Sequence, residues 1–103
     1  MGELIMATHV VAWNFKPEVK EEDKAALKKD MKQHLEGLVG IVPGLVSATF
    51  IEAPLTGSNR EMALVTTHNN AEDIAVYAKN PNHNAVADKY VRPYTADRAS
   101  VNW

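Results

Sequence analysis

Few side chains in this 103-residue chain could carry chemistry, and histidine dominates them. His9, His34, His68 and His83 are its four histidines, and it contains no cysteine. Lack of cysteine removes thiol catalysis, zinc–thiolate sites and disulfides together. The histidines show no His-x-His or His-x-x-x-His spacing, so no metal site is expected. Acid–base chemistry remains. A neutral imidazole near pH 7 can take an acidic proton α to a carbonyl. A phenol can hydrogen-bond the carbonyl oxygen as charge develops there. Tyr77 and His83 are the pair with informative spacing. Six positions apart, they would not share a face of a straight helix. Pro81 breaks the helix between them, so the two can converge.

Elements that would position these residues can be read from periodicity. Residues 7–15 are rich in β-branched and aromatic residues and form a first strand, with His9, Val11, Trp13 and Phe15 on one face and Val10, Ala12 and Asn14 on the other. Lys16-Pro17 ends it. From Glu18 to about Val39 the period becomes helical, with Leu27, Met31, Leu35, Leu38 and Val42 as the apolar stripe. Glu18, Glu21, Glu22 and Asp23 crowd its start, as the helix dipole favours, and Pro43-Gly44 closes it. A second strand covers Leu45–Glu52, with Val46, Ala48 and Phe50 facing one way and Leu45, Ser47, Thr49 and Ile51 the other. After the polar loop Pro54–Arg60, a third strand covers Glu61–His68, in which Met62, Leu64, Thr66 and His68 share a face. Asn70 is the N-cap of a second helix that stops at Asn80-Pro81. A further turn spans Asn84–Tyr90. A last strand, Arg98–Trp103, sets Arg98, Ser100 and Asn102 against Ala99, Val101 and Trp103. The order β-α-β-β-α-β gives the fold class: α+β, a ferredoxin-like domain with an antiparallel four-stranded sheet.

Two helices cover one face of such a sheet. The other face should then alternate apolar with polar, yet strands one to three carry apolar residues on both faces. Left wet, that face would expose an apolar patch of about 600–800 Å². Burying roughly 1,000 Å² between two copies gains about 25 kcal/mol gross, against an association cost of ~4–15 kcal/mol. A homodimer meeting sheet to sheet, closing an α/β barrel, is expected. The candidate pocket then lies on the opposite, helix side, where His9 and the second helix meet.

At this point the sequence resembles a known family, the stress-responsive dimeric α/β barrels, over residues 7–103. The resemblance rests on His9-Val10-Val11 with Phe15-Lys16, on Val42-Pro43-Gly44-Leu45, on Tyr77 followed by Asn80-Pro81-Asn82-His83, and on the closing Val101-Asn102-Trp103. The family's usual His-Pro-x-His begins here with Asn80, and its acidic residue before the final aromatic is here Asn102. The resemblance implies the dimeric barrel and much less about activity, since members include plant stress proteins, a plant polyketide cyclase and many uncharacterised bacterial proteins. By motif, the cyclase's catalytic tyrosine and histidine fall on Tyr77 and His83, implying an acid and a base, and a further pocket histidine falls on His9. Val11, Trp13 and Asn102 join His9 as expected ligand-binding residues. Asn102 can accept an imidazole N–H but does not favour imidazolium as a carboxylate would.

Plainer readings stand beside these. His83 is equally a helix-start or inter-subunit residue, Tyr77 a half-buried amphipathic one, and His9 a satisfied core histidine. His34 and His68 carry no distinctive signal. Lys20, Lys24, Lys28 and Lys32 make a solvated stripe. Trp13, Phe50, Tyr90, Tyr94 and Trp103 read as core or interface anchors. No cofactor is expected, because a haem monooxygenase on a similar barrel would need a ligand motif that is not evident. The formal charge of −2 lacks the basic excess of a nucleic-acid binder, and no run approaches a membrane span. Residues 1–6 read as an extension without a signal-peptide core or a myristoylation site, with Met6 as an alternative start. Cytoplasm is the default location. Two functions follow: a homodimer that binds a small apolar or carbonyl ligand, or a cofactor-free lyase or cyclase.

Overall fold

Residues 6–103 are described by the computed structural model, so the reading of residues 1–5 as part of an extension lies outside the described residues. β1 (Ala7–Phe15) and β3 (Met62–His68) bury every second side chain, as their alternation predicts. With β2 (Leu45–Ile51) and β4 (Thr95–Asn102) they form one sheet in the order β2-β3-β1-β4, each neighbouring pair antiparallel. α1 (Lys24–Glu36) links β1 to β2. α2 (Ala71–Lys79), α3 (Pro81–Val86) and a π-helical turn (Ala87–Val91) link β3 to β4. This is the ferredoxin-like arrangement, with the second helix divided. Met31, Leu35 and Leu38 from the first crossover and Tyr77 and Val91 from the second pack on Val11, Trp13, Leu64 and Phe50 of the sheet. Two carboxylates tie α1 to strand ends: Glu36 accepts from the Phe50 N–H, and Glu61 from the Phe15 N–H and Lys24. No helix among the described residues is long and apolar enough to cross a membrane.

Several boundaries move from their sequence expectation. The acidic cluster does not open α1, since Glu21–Asp23 form a separate 3₁₀ turn after an extended Lys20. α1 ends at Glu36, with Gly37 as its C-cap, rather than at Val39. On β2 the register slips between Leu45 and Ser47, which reverses the parity of the strand's first residues. Leu45 therefore joins Phe50 in the core, whereas Val46, expected on the same face as Phe50, is exposed. β4 begins at Thr95, three residues early, because Thr95 and Ala96 already pair with Phe15 and Asn14.

The outer sheet face follows from register. Thr49–Val65–Val10–Val101 and Ile51–Ala63–Ala12–Ala99 make two rows across all four strands. The next row is hydroxylic, with Ser47 bonded to Thr67 beside Thr8. β2 thus contributes less apolar surface here than its sequence suggests, and the centre and the β4 edge contribute most. Val101 is 62% exposed and Trp103 68%.

The turn into β2 carries a tight constraint. Gly44 has φ 80, and a Cβ there would lie 2.4 Å from the Asp73 carboxyl carbon at the start of α2. Gly44→Ala is expected to cost about 1–3 kcal/mol through backbone strain and displacement of Asp73. A lowered urea midpoint at unchanged m-value would show it.

Candidate functional site

Tyr77 and His83 converge because the chain makes two helices where one would hold them apart. α2 ends at Asn80, whose backbone is extended and whose N–H still reaches the Tyr77 carbonyl. The Asn80 side chain then caps α3, its Oδ1 accepting from the N–H groups of Asn82 and His83, with Pro81 at the first helical position. This cap fixes the backbone of His83 directly. The rings of Tyr77 and His83 approach to 4.1 Å between centroids. His9 on β1 stands 6.3 Å from Tyr77, and His68 at the end of β3 meets it edge-on at 5.3 Å.

The polar atoms of this group are unevenly satisfied. His9 Nδ1 lies 2.5 Å from Asn102 Oδ1, an atom that only accepts, so Nδ1 carries the proton and Nε2 presents a lone pair. His68 Nε2 shares a hydrogen bond with Thr66 Oγ1, while its Nδ1 has no partner. Tyr77 Oη and His83 Nδ1 are also buried without partners. Buried polar atoms normally find a partner, so three orphans around one ring set are unusual.

Burial sets the protonation states. Desolvation pushes the Tyr77 phenol up to about 12. It pushes His83 down to about 4, reinforced by Arg92, His9 and Arg98, and the Ala78 carbonyl offsets only part of this. Desolvation and then His9 lower His68 as well, against a smaller raising effect of Asp73. At neutral pH the site therefore holds a protonated phenol and neutral imidazoles at His68 and His83.

A cavity of about 390 Å³ opens beside these groups, on the helix side of the sheet. Val11, Trp13, Leu35 and Leu64 form apolar wall, His9, Tyr77 and His83 supply polar groups, and Arg92, Asp97 and Arg98 stand on one side. Its size suits a small organic ligand. Of the residues expected at a site, His9, Val11, Trp13, Tyr77 and His83 all line it. Asn102 does not, and reaches it only through His9. Arg92 and Arg98 are additions to the lining, and His68 is an addition behind it, against Tyr77. The alternation of β3 had already placed His68 on one face with Met62, Leu64 and Thr66, and that of β4 had placed Arg98 with Ser100 and Asn102. Among the described residues no three His, Cys, Asp or Glu side chains form a group able to hold a metal ion.

Comparison with known proteins bears on fold and family. No curated protein matches the chain. A Bacteroides fragilis structure described as a dimeric protein of unknown function and ferredoxin-like fold superposes with a TM-score of 0.84 at 23% identity, covering 95% of this chain and 94% of that one. A dimeric ferredoxin-like protein of unknown function from Thermobifida fusca gives 0.75 at 20%, covering 95% and 89%. A hydroxynitrile lyase from Passiflora edulis gives 0.71 at 13%, covering 98% and 94%. At these identities the likeness is one of fold. The family model of the stress-responsive A/B barrel domain matches residues 7–103, and the chain belongs to that family.

Proposed function

We propose that this protein is a homodimer whose protomers each carry a cofactor-free acid–base site for a small carbonyl compound, with His83 as the base and Tyr77 as the acid. The observation that carries this reading is the pair of buried, unpartnered polar atoms Tyr77 Oη and His83 Nδ1 on two residues that line an open cavity, with a third such atom, His68 Nδ1, behind Tyr77. A scaffold that only packs or assembles has no use for such orphans, whereas a bound carbonyl compound would accept from the Tyr77 O–H and present its α C–H to the His83 lone pair. With its proton on Nε2, His83 offers a free Nδ1 lone pair. It removes a proton from the carbon α to the carbonyl, the C–H electron pair moves into an enolate, and the Tyr77 O–H donates to the oxygen that gains the charge. His9, oriented by Asn102, can accept a second hydrogen bond from the ligand. The Passiflora edulis hydroxynitrile lyase supports the reading in one respect: a protein of this fold can host lyase chemistry. The dimer is supported by the two apolar rows of the outer sheet face and by the dimeric neighbours.

Deuterium exchange of α-protons tests the reading. Phenylacetone and levulinate, a neutral and an anionic ketone, are incubated with the protein in D₂O and followed by proton NMR. Exchange above background is expected for at least one. Because His83 is held down at about 4 and Tyr77 up at about 12, the catalysed rate is expected to stay level from about pH 5 to 9. No exchange above background, or a rate that drops on acidification with a midpoint near 6.5, would count against the assignment.

A further inference from the structure

The chemistry above leaves one wall of the cavity unexplained. β4 pairs with β1 through Ala99–Ala12 and then Ala96–Asn14, so Asp97 and Arg98 both stand opposite Trp13. Two residues against one is a β-bulge, a feature that re-aims side chains. Asp97 takes it up with φ 55, a left-handed conformation that is costly for a residue with a Cβ. The strain is held by two bonds: Asn14 Nδ2 donates to Asp97 Oδ2, and Arg60 Nε donates to the Asp97 carbonyl. Beyond the bulge, Arg98 has the parity of Ser100 and Asn102, which pair with Val11 and His9 on the inner face.

Arg98 therefore lines the cavity, together with Arg92. The two arginines differ in how they are satisfied. Arg92 is bonded to Asp88 and to Asn84. Among the described residues Arg98 pairs with no carboxylate, and its one hydrogen bond, to Ser100 Oγ, is long at 3.4 Å. The acidic side chain among the residues lining the cavity, Asp97, is engaged by Asn14 instead. A strained bulge thus delivers an unneutralised guanidinium to the mouth of a cavity whose far side is apolar.

We propose that Arg98 is the anchor for a carboxylate on the ligand, so that the cavity takes anionic carbonyl compounds, keto acids as a class, rather than neutral ketones. Guanidinium and carboxylate match as a two-point, charge-assisted pair. Arg92, already bonded on its Asp88 side, adds field on the same wall. The carboxylate sits at the mouth while the apolar end of the ligand reaches Val11 and Trp13 and its carbonyl faces Tyr77. This inference rests on the acid–base reading and names its substrate class.

Benzoylformate and benzoylformamide are suitable probes, being nearly isosteric, charged and neutral, and free of α-hydrogens. Binding is then read without turnover, by titration calorimetry and by amide shifts of residues 77–83 and 95–98. The wild-type protein is expected to bind benzoylformate about tenfold or more tighter than the amide. Arg98→Gln should bring the two affinities within about twofold, and Arg98→Glu should reverse the order. Arg98 is exposed, so circular dichroism of both variants should match the wild type. Equal affinities in the wild type, or selectivity that survives in Arg98→Gln, would overturn the carboxylate anchor and leave the acid–base site standing. Failure of both probes to shift any of those amides, together with absence of α-proton exchange, would remove both.

Discussion

Replacing His83 with alanine is expected to lower catalysed α-proton exchange by about 10²–10⁴-fold, the usual contribution of a positioned general base. Tyr77→Phe is expected to lower it by about 10²–10³-fold, the cost of losing one donor to a developing oxyanion. The pair is informative because stability should respond in the other direction. Tyr77 is 3% exposed and its Oη has no partner, so the folded protein carries a desolvated hydroxyl that nothing satisfies. Removing one buried hydroxyl while keeping the ring leaves the edge contact with His68 and relieves that penalty. Tyr77→Phe should therefore unfold at an unchanged or higher denaturant concentration while losing activity. A residue conserving the core would behave oppositely, losing stability together with any function. His83→Ala keeps the backbone N–H that Asn80 caps, so α3 should remain in place. Exchange that persisted at wild-type rates in both variants would dismiss the assigned acid and base, whatever the pocket binds.

The pH dependence of stability has a definite sign. His83 is lowered from 6.5 to about 4 in the folded protein, so between those values the unfolded chain binds the extra proton. Stability is unaffected by this group above the unfolded value and falls as the pH drops from about 6.5 toward 4. His68, lowered by burial, adds to the same trend. The acid limb of any activity profile should thus be accompanied by a loss of stability, and urea midpoints measured at each pH separate the two.

Much of this site was legible because alternation in a strand is rigid. His9, Val11 and Trp13 share a face whatever the helices do, and the Asn80-Pro81 break allowed Tyr77 and His83 to converge, although the next turn was expected only from Asn84 and begins at Pro81, with His83 as its third residue. Boundaries governed by a single hydrogen bond were not legible. The slip between Leu45 and Ser47 moves Val46 outward, and nothing in a run of seven mostly apolar or small residues marks it. The bulge at Asp97 is likewise set by cross-strand pairing with Asn14 and a distant Arg60. His68 was passed over because one histidine at a strand end has no pattern of its own. Its meaning comes from Tyr77, which α2 places against it across the fold. Arg98 shows the same limit: its parity was visible, and its lack of a carboxylate was not.

Substitution of Val65 by lysine is expected to convert the dimer to a monomer at micromolar concentration. Val65 lies within the valine-rich row of the outer face, between Thr49 and Val10, with Val101 beyond. Its side chain points away from the helices, so the change should leave the core of the protomer intact. Twofold symmetry places the new charge in the interface twice. An unpaired buried charge costs several kcal/mol, which raises the dissociation constant by a factor of at least about 10³. Sedimentation or light scattering should report one chain mass for Val65→Lys and two for the wild type, with matching circular dichroism. Lysine at Thr49, on the hydroxyl-bearing strand of the same row, should weaken the dimer less. A wild-type protein that runs as a monomer at these concentrations would end the dimer proposal. The monomeric variant also separates assembly from chemistry. The candidate site lies on the opposite side of the sheet and draws Tyr77, His83, His9 and Arg98 from one chain. Affinity for benzoylformate should therefore survive dissociation, and a monomer that lost it would show that the partner reaches the pocket through the sheet's edge at β4.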